Sequence, residues 1–158
     1  MHQRLLFILL MTAAMAGACA HSMIEGTNVR DTDENRAIFN QIVKVRTALQ
    51  TRDPNMLLGV VSTQYFEDCG TPDPTDDYGY HELKDKIMAD ALQNAKEVFV
   101  NFQVFDIQVR GDQGRADLRY NSRTRLDLPA GQLWDSHRDF DRLEFIREKG
   151  EWKIISGL

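Results

Sequence analysis

The densest run of chemically able side chains is Trp134-Asp135-Ser136-His137-Arg138-Asp139-Phe140-Asp141. On a regular strand, residues two apart share a face. His137 and Asp139 would then stand side by side, where a carboxylate could orient the imidazole for general-base work. Trp134 and Arg138 would lie on the other face. His81 could look toward the same region, but His137, His81 and an aspartate lack the close spacing of a metal site. Asp73, Asp76 and Asp77 invite a calcium reading. Counted from Asp73, however, the required glycine position holds Tyr78 and the terminal acid position holds Lys84. We therefore expect no metal and no cofactor. Cys69 reads as a partly buried thiol beside a loop rather than a nucleophile.

Other residues suggest surfaces rather than chemistry. Arg115, Arg119, Arg123 and Arg125 form an odd-numbered row that could bind anions, but Asp117 and Asp127 interrupt it. A solvated sheet face is the plainer reading, with docking to an acidic protein or a lipid headgroup as its functional alternative. Tyr65, Phe66, Tyr120, Trp134 and Phe140 could line an apolar hollow, or could simply be core. The chain carries 24 acids against 19 bases, a formal charge of −5. That balance argues against nucleic acid, whose phosphates demand clustered Lys and Arg.

These residues need elements to hold them. Asp31-Thr32-Asp33 offers a helix cap, and Ile38, Ile42, Val45 and Leu49 follow at helical spacing. Asp53-Pro54 is a cap followed by proline at the first helical position, opening a short second helix. Gln64-Tyr65-Phe66 reads as a brief strand, and Glu67 to Gly79 as a loop. A third helix is expected from Tyr80 to about Ala95. Beyond it the pattern turns to strands. Val98, Val100, Phe102 and Val104 alternate on one parity, then Phe105, Ile107 and Val109 on the other, which predicts a bulge. Ala116, Leu118, Tyr120, Leu126 and Leu128 alternate with charged residues, so one side of that strand is buried. Gln132 to Arg147 is a third long strand with an apparent phase change near Phe140. Trp152 to Leu158 closes the sheet.

Helices followed by long bent strands predict an α+β fold: three N-terminal helices packed on a curved, mostly antiparallel sheet with a cone-shaped cavity. The helix pair joined at Thr51-Arg52-Asp53-Pro54, the Tyr65-Phe66-Glu67-Asp68 segment and the ending Phe145 to Ile155 resemble the nuclear transport factor 2-like superfamily over about residues 31–158. That superfamily includes ketosteroid isomerases, polyketide cyclases, dehydratases and non-catalytic members, so the fold does not choose a function. The resemblance places Asp68 near the isomerases' proton shuttle and Asp141 near their late-strand oxyanion-binding aspartate. The position of their helix tyrosine falls near Val45, which cannot donate a hydrogen bond. An oxyanion site without that donor is incomplete.

The N-terminus speaks of address. Arg4, the apolar run Leu5 to Met11 and the small residues Ala16, Gly17 and Ala18 lead into Cys19, the order of an export signal. The uncharged run is shorter than the roughly 20 residues a membrane-spanning helix needs. A cysteine in that place resembles a bacterial lipobox, which implies cleavage after residue 18 and lipidation of Cys19. Residues 19–30 would be the lipidated cysteine and a polar tether from His21 to Arg30, and residues 31–158 the domain. Lipidation leaves Cys69 without an intramolecular partner, so no disulfide is expected. Ala20 is not the aspartate that signals inner-membrane retention, which implies the outer membrane, facing the periplasm. The expected role is a non-catalytic envelope lipoprotein that binds a small apolar ligand or an envelope protein. The alternatives are a small-molecule isomerase or lyase using a pocket Asp or the His137/Asp139 pair, and an accessory subunit docking, or self-associating, through its sheet face.

Overall fold

The computed structural model describes residues 22–86, 95–128 and 131–158. Cys19 and the expected signal segment lie outside them. Helix α1 (Asp33–Thr51) starts where Thr32 accepts a hydrogen bond from the Asn35 amide and carries Asp33 and Glu34 in its first turn. Both features suit the positive N-terminal end of a helix. Ile38, Ile42, Val45 and Ala48 form its buried stripe. The helix stops at Arg52, whose φ of 55° is left-handed. Helix α2 (Pro54–Leu58) is capped by the Asp53 side chain, with Pro54 in its first turn, as expected. Strands β1 (Phe66–Glu67) and β2 (Tyr78–Gly79) pair antiparallel across the loop between them. Helix α3 is described from Tyr80 to Lys86. The expected continuation through Ile87, Ala91 and Leu92 lies outside the described residues, and Ala95 already begins the sheet.

Strands β3 (Ala95–Arg110), β4 (Gln113–Leu128), β5 (Gly131–Glu148) and β6 (Glu151–Ser156) form one antiparallel sheet in that order. The expected bulge is present, because the β3–β4 register shifts between Val104 and Asp106. It rotates the strand so that Val104 and Ile107 both reach the core. The phase change expected in β5 is not a bulge against β4: their register runs unbroken from Leu128–Gly131 to Gln113–Ile146. The cause is coverage. Residues 131–140 are exposed throughout, so neither face of that half-strand is forced to be apolar, whereas Leu143 and Phe145 beyond it are buried.

The core lies between α1 and the proximal part of the sheet. Ile38, Ile42 and Val45 meet Ala116, Leu118, Leu143, Phe145 and Ile154 in one cluster. A Cβ at Gly114 would stand 2.5 Å from the Ile38 δ-methyl, so glycine there permits this close approach. Trp152 is buried, donates from Nε1 to Glu34 at 3.2 Å and lies under Arg147, which also pairs with Glu34 at 2.6 Å. This ties the start of α1 to the last hairpin.

One boundary moves. Residues 22–30 were expected as a tether, yet Ile24 and Val29 are 1% and 3% exposed within the core, and Met23 bridges Arg30. The Ile24 amide donates to the Val29 carbonyl, closing a small loop. Two apolar side chains in a polar stretch are enough to fold it back onto the domain. The described core therefore starts at Ile24, and the chain from Ser22 onward carries all of it.

Candidate functional site

A cavity of about 310 Å³ opens between α1 and the inner face of the sheet. α1 supplies Val45 and Leu49, while β3 supplies Val98, Val100 and Phe102. The even-numbered residues of β4, Leu118 through Thr124, continue the wall because alternate strand residues share a face. β5 contributes Asp141 and Leu143, and residues 157 and 158 close one side. Polar groups are few: Tyr120, Ser122, Thr124 and Asp141.

Asp141 is half-buried, and burial holds its carboxyl above the ordinary carboxylate range, with Glu67 and Asp139 adding negative charge nearby. The Arg142 amide donates to its Oδ1 at 2.7 Å and opposes part of that rise. Opposite Asp141 on β4 is Leu118, and opposite Asp139 is Tyr120. The Tyr120 phenol is likewise pushed up, by burial first and then by Asp139 and Asp141. A carboxyl so placed holds its proton more tightly than one in water.

The wall formed by residues 157 and 158 is locked by side chains from β1, from β2 and from Tyr65 just before β1. The Gly157 amide donates to Glu67 Oε2 at 2.6 Å, and Ser156 Oγ donates to the same oxygen at 3.3 Å. The Tyr78 hydroxyl donates to the Leu158 carbonyl at 2.9 Å, and the Leu158 amide donates to the Tyr65 hydroxyl at 3.0 Å. Burial pushes the Tyr65 phenol far up, so it is a neutral partner throughout the working pH range. Gly157 has φ of 94°, and a Cβ there would overlap the Arg142 carbonyl oxygen.

Only some of the expected residues meet here. Asp141 and Tyr120 line the cavity, and Val45 does so where an isomerase would present a phenol. Asp68 is exposed at the start of the loop, its Oδ1 accepting from the Gly70 amide at 3.0 Å. His137 and Asp139 do share the inner face, but both are exposed, and no hydrogen bond joins them among the described residues. The His137 ring instead lies 5.5 Å from that of Tyr120, and Asp139 Oδ1 accepts from the Phe140 amide. Tyr65 is 2% exposed and serves the wall rather than the cavity. Phe66, Trp134 and Phe140 are 54%, 40% and 68% exposed. They line no part of the cavity: Phe66 sits on a two-residue strand, and Trp134 and Phe140 are even-numbered on β5, whose odd residues face inward. His81 is exposed at the start of α3. Cys69, expected to be partly buried, is free and exposed, with a left-handed φ of 51°. Asp73 and Asp76 bond to Thr75 and Thr71, and among the described residues no cluster could hold a metal.

Sequence reasoning did not find Glu67, Tyr78, Gly157 or Leu158. Tyr65 and Glu67 stand two apart, a hint that they share a face, but their partners lie about ninety residues away.

The chain covers 78% of itself and 92% of a conserved protein from Planctomyces limnophilus, at a TM-score of 0.66 and 14% identity. It aligns over 77% of itself and 86% of a nuclear transport factor 2-like superfamily protein from Salmonella enterica, with a TM-score of 0.62 and 10% identity. The fold is nuclear transport factor 2-like. A hexachlorocyclohexane dehydrochlorinase of type 2 shares it, at a TM-score of 0.63 and 13% identity over 78% of this chain and 82% of that one. Structures with this fold thus include an enzyme as well as a protein described only as conserved. No family model matches the sequence, and no curated protein matches it. Among the described residues no helix is long and apolar enough to cross a membrane.

Proposed function

We propose that this nuclear transport factor 2-like domain is a non-catalytic binder of a small apolar ligand, working in the bacterial envelope from a lipid anchor on Cys19. The observation that carries the binding role is the composition of the cavity. Its walls are mostly apolar, and Asp141 supplies the one carboxyl side chain among the described lining residues. Such hollows, with few orienting polar groups, suit small-molecule binding. A mainly hydrocarbon ligand with one polar group matches it, the polar group meeting Asp141. Catalysis of the isomerase type is less well served. Asp68 stands outside the cavity and Val45 has no donor, so neither a proton shuttle nor a complete oxyanion site converges on the space. The anchor and the outer-membrane address rest on the order of charge, apolar run, small residues and Cys19.

The test is binding of a fluorescent apolar probe, N-phenyl-1-naphthylamine, to the chain from Ser22 onward. Saturable binding that Ser122→Phe abolishes, while the folded state persists by circular dichroism, supports the reading. Unchanged binding in that variant places the probe elsewhere and removes the support. Mass spectrometry of molecules retained by the native protein would then name the ligand.

A second reading, a small-molecule isomerase or lyase, is favoured by one observation: the raised proton affinity of Asp141 inside the cavity. Turnover of a candidate substrate that Asp141→Asn abolishes would put it first.

A further inference from the structure

The cavity is chemically one-sided. Its described lining carries no side-chain nitrogen: Tyr120, Ser122, Thr124 and Asp141 supply all of the polar side-chain atoms, and every one is an oxygen. Asp141 is the charged member, and no cation of the described residues answers it. Arg142 is next in the chain, but its guanidinium turns to Asp117 at 2.6 Å, on the opposite face of the sheet. The other described salt bridges lie elsewhere, and none engages Asp141. The stretch 87–94 contains no Lys, Arg or His.

The surrounding charges deepen the imbalance. Glu67 and Asp139 both add negative charge at Asp141, and Asp139 does so at the Tyr120 phenol. Neither meets a base among the described residues. Glu67 accepts from the Gly157 amide and from the Tyr65 and Ser156 hydroxyls, while Asp139 accepts from the Phe140 amide. His137 shares the inner face, but its ring stands against Tyr120 rather than against a carboxylate. A charge held among apolar walls is costly unless it is paired. Protonation would relieve Asp141 alone and leave the charge of Glu67 and Asp139 uncompensated. A bound cation relieves all three, because low-dielectric walls focus their field into the hollow. An anionic ligand meets like charge there and is rejected.

We propose that the cavity selects a hydrophobic amine, whose ammonium pairs with the Asp141 carboxylate while its hydrocarbon part lies against Val45, Leu49, Val100 and Phe102. The remaining N–H groups of a primary ammonium find acceptors among the Tyr120, Ser122 and Thr124 hydroxyls, which is what a lining with only oxygen as its polar side-chain atom suits. A volume of about 310 Å³ is at the small end of the roughly 300–1,000 Å³ of ligand pockets, so a short alkyl or monocyclic amine fits. Asp141 is thereby the residue that sets specificity. The inference rests on the ligand-binding reading above and adds the charge of the ligand to it.

The experiment displaces N-phenyl-1-naphthylamine, uncharged at neutral pH, from the chain from Ser22 onward, which carries the whole described core. Three competitors share one hydrocarbon length: octylamine, octanol and octanoate. Octylamine should displace the probe at a concentration about 10-fold or more below that of octanol, the gain of a charge-assisted hydrogen bond. Octanoate should be the weakest. Asp141→Asn should bring octylamine level with octanol. The quantity read is the ratio of the two competitors in each protein, so a change in the probe's own affinity does not enter it. Equal displacement by amine and alcohol in the wild type, octanoate ahead of octylamine, or an amine advantage that persists in Asp141→Asn overturns the proposal and leaves the apolar binder standing. Absence of saturable probe binding to the wild type overturns that reading, and the proposal with it.

Discussion

Replacing Gly157 with alanine tests whether residues 157 and 158 are a working wall of the cavity. The new Cβ would overlap the Arg142 carbonyl oxygen and lie 2.9 Å from its carbonyl carbon. That carbonyl belongs to β5, where Arg142 pairs with Asp117 of β4, so the strand resists displacement and the terminal residues yield first. Their departure breaks the Gly157 amide bond to Glu67, the Leu158 amide bond to Tyr65 and the Tyr78 bond to the Leu158 carbonyl. At about 1 kcal/mol net for each hydrogen bond, the loss is about 3 kcal/mol. A side chain held at φ of 94° would add about 1–2 kcal/mol if the segment stayed in place. Urea unfolding of the chain from Ser22 onward should therefore show a midpoint lowered by about 1–3 M. Probe binding should weaken several-fold, since the wall opens to water. Gly111→Ala is the control: its φ is 62°, but nothing stands within 4 Å of the new Cβ, so it should cost only about 1 kcal/mol and leave the probe bound. A Gly157→Ala protein no less stable than the Gly111→Ala control, with unchanged probe affinity, would refute the wall.

Asp141→Asn should change how stability depends on pH. Burial raises the folded-state pKa of Asp141 above its unfolded value, so the native state holds the proton more tightly. Wild-type stability attributable to this group is full below about pH 4 and declines as pH rises through the raised pKa. The asparagine variant should match the wild type near pH 4 and exceed it at pH 7 in urea midpoint; parallel curves would show that Asp141 is not strained by burial. His137→Ala, at an exposed site outside the cavity, should change stability by no more than about 0.5 kcal/mol, and a several-fold fall in probe affinity would bring the histidine into the site. Cys19→Ser should shift the protein from the membrane to the soluble fraction of lysed cells; a protein that still pellets is not held there by a lipid on Cys19.

Local patterns were legible where one face of an element is buried. The α1 stripe, the bulge at Phe105 and the outward arginine row of β4 followed from periodicity, because burial there enforces it, and the Thr32 and Asp53 caps followed from residue type. The reading weakened where burial does not. Along residues 131–140 both faces are wet, so apolar residues fell on either parity and suggested a phase change that the register lacks. Trp134 and Phe140 looked like cavity lining for the same reason. Residues 22–30 looked like a tether because two buried side chains, Ile24 and Val29, make no period.

The candidate site divides in the same way. The residue pattern alone put Tyr120 and Leu118 on one strand face and Asp141 on a late strand, and the resemblance put Val45 at the isomerases' tyrosine position. Neither could determine that Asp68 stands outside while Glu67 turns inward, nor that Glu67, Tyr65 and Tyr78 grip Gly157 and Leu158. Those contacts join residues about eighty to ninety apart, and local propensity carries no information across such a span. Only the closing of β6 against the segment from Val60 to Ser62, with the Ser62 amide donating to Ile154, brings the two ends of the site together. The raised proton affinity of Asp141 is likewise a property of the folded cavity, since only the assembled walls take water from its carboxyl.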